Sequence, residues 1–178
     1  LIGVPADAVV ECSNIPAAAV VTANDNCDET LEVGYYEQFI PGDACTYTLV
    51  RHWEVTDACD NTTSADQILT VTDTTNPTLN NVPADITVEC DAIPSVPVVT
   101  GSDNCDTNVA VSFTETATEG CPYIITRTWV GVDNCGNEVM ASQEITVIDT
   151  TYPVLVGVPA SMELECDQPA PDAVVTAT

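Results

Sequence analysis

Nine cysteines and a fringe of carboxylates are the reactive side chains that recur along this sequence. The cysteines stand at 12, 27, 45 and 59, then at 90, 105, 121 and 135, then at 166. Cys12 and Cys27 thus return as Cys90 and Cys105, Cys45 and Cys59 as Cys121 and Cys135, and Cys90 as Cys166. Every one of these steps is about 77 residues, constant to within a position, as a tandem repeat requires. Cysteines at fixed places in a small repeating unit point to disulfides and an oxidising compartment. Zinc is the competitor, since its four-coordinate sites are built from Cys and His. No CxxC pair occurs, however, and the only histidine, His52, gives way to Thr128 in the next repeat. The carboxylates gather beside the cysteines. Asp25, Asp28, Asp57, Asp60 and Asn61 flank Cys27 and Cys59, and Asp103, Asp106, Asp133 and Asn137 flank Cys105 and Cys135. Loops rich in oxygen suit Ca²⁺, which takes six to eight such ligands. Asp and Asn are equally ordinary turn residues, because they hydrogen-bond nearby backbone and tolerate left-handed geometry. Both readings stand at this point.

The elements that must position these residues repeat with the same period. Val4-Pro5-Ala6-Asp7 returns as Val82-Pro83-Ala84-Asp85 and Val158-Pro159-Ala160-Ser161. Glu11-Cys12 returns at Glu89-Cys90 and Glu165-Cys166, and Arg51-His52-Trp53 at Arg127-Thr128-Trp129. A fixed period of this length marks a tandem array. It divides the chain into the end of a preceding linker (1–3), two full repeats (4–77 and 78–153) and the first part of a third (154–178). We expect this to be a window on a longer protein. The odd Cys166 would then pair beyond residue 178.

Helical signals are almost absent. Stretches of β-branched residues broken by Pro, Gly, Asn and Asp predict an all-β fold of tandem β-sandwich modules. Five strands are expected in repeat one, at 7–12, 17–23, 30–39, 45–56 and 65–73. Their counterparts lie at 85–90, 96–101, 108–117, 121–132 and 141–149. In the fourth strand Tyr47, Leu49, Arg51, Trp53 and Val55 share one face, as do Tyr123, Ile125, Arg127 and Trp129. The phase places Arg51 and Arg127 inside the core, where an unpaired charge is expensive. Glu37 and Glu115, at matching places on the third strand, are the expected partners, with Glu11 and Glu89 second. The aromatic residues read as core rather than as a sugar-binding platform.

Strand direction bears on the disulfides. With alternating strands, Cys12 and Cys45 fall at one end of the module and Cys27 and Cys59 at the other. A bridge needs Cα atoms within about 7 Å. Two bonds within each module are therefore expected: Cys12–Cys45 with Cys27–Cys59, and Cys90–Cys121 with Cys105–Cys135. The competing arrangement joins Cys12 to Cys27 and Cys45 to Cys59. Asp73 and Asn76 close repeat one and should approach the loops of repeat two, joining the candidate Ca²⁺ ligands there. Asp73-Thr74-Thr75 returns as Asp149-Thr150-Thr151, a polar linker or an O-glycan acceptor at Thr74 and Thr150. Asn61-Thr62-Thr63 is an N-glycan sequon without a counterpart in repeat two.

The net charge is −26, with two basic residues against 28 acidic ones. Nucleic acid and anionic membrane surfaces both need clustered Lys and Arg, so neither is an expected partner. No apolar run approaches the ~20 residues that span a bilayer. No recurrent histidine, Gly-rich phosphate loop or nucleophile–base pair occurs, and an enzyme is not expected.

Asp-Asn-Cys-Asp, then Arg-x-Trp, Asp133-x-Cys135-Gly136-Asn137 and Val-x-Asp-Thr-Thr-x-Pro together resemble the HYR-like repeats with four cysteines. The resemblance covers both full repeats and the fragment. Repeat one departs at Asp60, where Gly136 is the typical residue. The resemblance implies immunoglobulin-like modules set end to end as a rod. Such modules occur in giant secreted surface proteins of Bacteroidota, including gliding-motility adhesins exported by the type IX system. The implied role is a stalk of an extracellular adhesin or filament. Its partners would be neighbouring repeats, lateral copies in a filament, and surface glycans or substratum met by a distal tip. The alternative is a Ca²⁺-dependent carbohydrate- or ligand-binding module.

Overall fold

The computed structural model describes residues 1–167 and 169–177. The chain is all-β, with several sheets. Repeat one carries β1 (Ala8–Glu11), β2 (Gly34–Pro41), β3 (Thr46–Thr56) and β4 (Thr62–Thr72). Between β1 and β2 lies one 3₁₀ turn, Cys12–Asn14. Repeat two carries β5 (Thr78–Asn80), β6 (Ile86–Glu89), β7 (Thr100–Ser102), β8 (Ala110–Ala117), β9 (Tyr123–Val132) and β10 (Glu138–Ile148). β11 (Leu155–Val156) and β12 (Thr176–Ala177) follow.

Each repeat builds one four-stranded sheet, ordered β1-β4-β3-β2 in the first and β6-β10-β9-β8 in the second. The first strand runs parallel to the last, and the remaining pairs are antiparallel. The small ladder β5-β7 lies over the inner face of the second sheet. Leu79 of β5 packs above Gly131 of β9. The Ile2–Thr22 bridge and the β11-β12 pair occupy the same place in the other two repeats. A large sheet faced by a short ladder is consistent with a β-sandwich.

Alternation along β3 and β9 builds the core. Leu49, Arg51, Trp53 and Val55 are buried on one face of β3, and Ile125, Arg127 and Trp129 on that of β9. Leu69 and Val71 on β4, with Ile145 and Val147 on β10, close these clusters. Tyr35 and Phe113 tilt against Trp53 and Trp129, yet stay 45% and 41% exposed because their strands are sheet edges. They cover the core rather than fill it.

The expected strand at 17–23 is not formed; only the Ile2–Thr22 bridge remains there. Its counterpart at 96–101 shrinks to β7. Pro16, Pro94 and Pro97 cannot donate to a ladder, which confines such segments to irregular extended chain. Their carbonyls serve another purpose. Arg51 Nη2 donates to the Pro16 carbonyl (2.7 Å) and Arg127 Nη2 to that of Pro94 (2.8 Å). Each guanidinium also donates through Nε to the matching glutamate, Glu37 at 2.8 Å and Glu115 at 2.7 Å. The cross-strand register places Glu37 opposite Arg51 and Glu115 opposite Arg127.

The recurrent Val-Pro-Ala-Asp motif pins the first strand to the last. Asp7 accepts the Ile68 N–H and Asp85 that of Glu144, while the Gln67 and Gln143 amides donate to the Ala6 and Ala84 carbonyls.

Candidate functional site at the joint between repeats

The end of repeat one that carries Cys12 and Cys45 meets the end of repeat two that carries Cys105 and Cys135. Cys12 and Cys105 lie at disulfide distance across this joint, with Cα atoms 5.9 Å apart. The pairs expected within a module, Cys12–Cys45 and Cys105–Cys135, are not the ones brought to that distance. Both members of each pair do sit at one end of their module, as strand direction requires. In repeat one strand order keeps them apart. β4 lies between β1 and β3. Cys12 and Cys45 therefore flank a whole strand, about 9–10 Å at the usual interstrand spacing. That exceeds the span of a disulfide. Among the described residues no bond joins Cys27 to Cys59 or Cys90 to Cys121 either, and Cys166 is free.

The loops behind the joint are built from Asx turns. Asp103 Oδ1 accepts the N–H groups of Cys105 and Asp106 (2.8 and 3.1 Å). Asp133 Oδ1 accepts those of Cys135 and Asn137 (both 2.8 Å). Asp106 binds the two loops together by accepting the Asn134 N–H at 2.8 Å. Repeat one uses Asp25, Asp28, Asp57 and Asn61 in the same way. Asp60 takes φ +65°, and Gly136 at the matching place takes +81°. Aspartate tolerates that left-handed region, so the turn survives the substitution.

Glu11 and Glu89 do not reach the arginines. Glu11 accepts from the Thr74 N–H (2.9 Å) and the Thr75 hydroxyl (2.6 Å). Glu89 likewise accepts from the Thr150 N–H at 3.1 Å and from its hydroxyl. The Thr75 hydroxyl and the Thr74 N–H hold the Glu11 carboxyl below the usual glutamate range. The recurrent Glu-Cys pair therefore clamps the linker to its own module. Thr74 and Thr150 remain exposed, with their hydroxyls turned to these carboxylates.

Of the proposed calcium ligands, three converge. Carboxylate oxygens of Asp73, Asp103 and Asp133 lie within 4.8 Å of one another. Asp133 is buried, and Asp103 Oδ2 is shielded from solvent with no hydrogen-bond partner. Asn137 donates to Asp133 Oδ2 (2.8 Å) and to the Asp73 carbonyl (3.4 Å), bridging the modules. Asp106 is taken up by the loops, Asn76 is exposed outside the cluster, and Asp25, Asp28 and Asp57 cap turns at the far end of repeat one, where Asp60 takes the left-handed position.

Both arginines are engaged inside the sheets, so the triad carries unbalanced negative charge. Burial, opposed by the Thr75 N–H, and the neighbouring Asp103, Asp133 and Glu11 carboxylates push the Asp73 carboxyl above its ordinary value. Burial also raises Asp133, but donation from Asn137 and the backbone N–H groups outweighs it and leaves that carboxyl lowered. The sign for Asp73 follows by linkage. The folded state holds its proton more tightly than the unfolded chain, so there is no penalty below the ordinary aspartate range. The penalty grows as pH rises from that range to the raised value and stays constant above it. At neutral pH in EDTA, Asp73→Asn is expected to raise the melting midpoint of the joint by a few degrees. The gain should vanish at about pH 3, near the ordinary carboxylate range. A lower midpoint at neutral pH would contradict this electrostatic account.

The chain matches no known family model and no curated protein.

Proposed function

We propose that the chain is part of the shaft of a long extracellular, cell-surface adhesin or filament. Each repeat is read as an immunoglobulin-like sandwich, and successive repeats as a rod that projects a distal adhesive region. One observation supports this most directly: the Cys12–Cys105 bond commits a structural cysteine of each repeat to its neighbour. Such a bond serves a chain whose repeats must stay in register, and it requires an oxidising compartment. Each repeat is expected to add about 35–45 Å, from strands of ~10 residues at about 3.3 Å each plus loops. Low-magnification images of the native protein on cells check this. A thin thread supports the shaft, whereas a compact particle overturns it.

The binding-module reading asks for a recurring exposed aromatic surface. The one exposed aromatic position that recurs, Tyr35 and Phe113, is tilted against the core tryptophans, while Tyr36 and Phe39 on β2 give way to Thr114 and Ala117 in repeat two. A ligand platform of the array would not be lost from one repeat to the next.

Calcium at the joint is the narrower reading favoured by the Asp73, Asp103 and Asp133 convergence. Three carboxylates supply part of the six to eight oxygens the ion takes. Millimolar Ca²⁺ is expected to raise the melting midpoint of the parent chain and not that of Asp73→Asn. Equal midpoints in Ca²⁺ and EDTA would leave these loops to turn chemistry alone.

A further inference from the structure

We infer that the joint is closed by a second disulfide, Cys45–Cys135, and that the paired bonds form a two-railed covalent frame bypassing most of each repeat. The thiols reach across the joint reciprocally. Cys45 Sγ is 3.5 Å from the carbonyl oxygen of Asn134, the residue before Cys135. Cys135 Sγ is 3.8 Å from the carbonyl oxygen of Ala44, the residue before Cys45. All four cysteines of the joint line one cleft, with Tyr47 and Asp73 among its other walls. The loops that carry them are already tied. The Asp73 N–H donates to the Cys45 carbonyl (3.2 Å), and Asp106 holds the Cys135 loop to the Cys105 loop. The two loops therefore present the second pair to each other.

One thiolate of the pair attacks an external disulfide, forms a mixed disulfide and releases one thiol. The other thiol then loses its proton and displaces the second thiol from the first sulfur. Two thiols of the protein give up two electrons and two protons, and the external disulfide is reduced to two thiols.

The spacing gives this frame its mechanical meaning, a consequence that rests on the shaft reading while the bond itself does not. In the period of the array Cys90 and Cys121 stand where Cys12 and Cys45 stand, ready for the following joint. Only the stretches from Cys90 to Cys105 and from Cys121 to Cys135 then separate the two sets of bonds that repeat two makes. Each stretch is about 15 residues long and spans about 45–55 Å fully extended, close to the length of a folded repeat. Unfolding would thus release almost no length, and the nearly equal rails would share the load.

The test is to stretch the oxidised full chain by its ends in the Cys12→Ser, Cys105→Ser variant, which takes the first bond out of the path. A Cys45–Cys135 bond takes about 90 residues out of that path, so the variant should extend about 300 Å less than its reduced form. Mapping of unreduced proteolytic peptides should recover Cys45 joined to Cys135. Full extension overturns the proposal and leaves the shaft reading intact. So does a shortening of only about 45 Å, the length a Cys45–Cys59 bond would remove. Images of the native protein decide the shaft separately.

Discussion

Arg127→Ala is expected to remove about 2–4 kcal/mol from repeat two, the scale of truncating a large buried side chain that also makes charge-assisted hydrogen bonds. Arg127 is 3% exposed and lies between Ile125 and Trp129 on the core face of β9. Its guanidinium donates to Glu115, to the Pro94 carbonyl and to the Ser95 carbonyl. Truncation takes the donor from the Pro94 and Ser95 carbonyls, leaves Glu115 to water and opens a void beside Trp129. A small domain has roughly 5–15 kcal/mol of stability in all, so a loss of this size is a substantial share. Fluorescence of Trp129 in a Trp53→Phe background isolates the repeat during denaturant unfolding. A midpoint shift worth less than about 1 kcal/mol, the value of an ordinary hydrogen bond, would show the arginine to be a bystander. Its repeated partners argue the other way. The two proline-containing segments that form no strand are held to the sheet largely through these carbonyls, so Arg127 stands in for missing ladder bonds.

The second large effect concerns the joint. Joining Cys12 to Cys105 closes a loop of 93 residues. The chain-entropy relation sets the stabilisation from such a loop at up to about 4–5 kcal/mol. With Cys45 and Cys135 also replaced by serine in the Cys12→Ser, Cys105→Ser variant, the two repeats are expected to melt apart, at lower and distinct temperatures. In the oxidised parent they should melt as one coupled unit. Scanning calorimetry of both proteins reads this directly. Identical single transitions would mean that the interface couples the repeats without its bond. The contacts around the bond, such as the 3.4 Å hydrogen bond from Asn137 to the Asp73 carbonyl, are too few to do so on their own.

The local grammar of this protein is legible without coordinates, because it depends on residues close together in sequence. Alternation in Leu49-Val50-Arg51-His52-Trp53 sets the buried face of β3, and the same phase leaves Glu37 and Glu115 as the partners of the arginines. The Asx turns at Asp25, Asp57, Asp103 and Asp133 follow from side chains that accept N–H groups two to four residues on. The period itself announces how many times each feature recurs. Misjudged segments are those where local preference and tertiary need diverge. Residues 17–23 look like a strand until the missing donor of Pro16 is set against the need of Arg51 for a carbonyl. Glu11 looks like a core partner until the linker threonines claim it.

Cysteine partners belong to the other category. Spacing and strand alternation put the cysteines in register, with Cys12 and Cys45 at one end of a module and Cys27 and Cys59 at the other. That Cys12 turns to Cys105 emerges from the packing of whole repeats. Strand direction is local and can be followed along the chain, but strand order is not. The interposition of β4 between β1 and β3 separates two cysteines at the same end by a full strand, and the nearest sulfur within reach belongs to the next repeat.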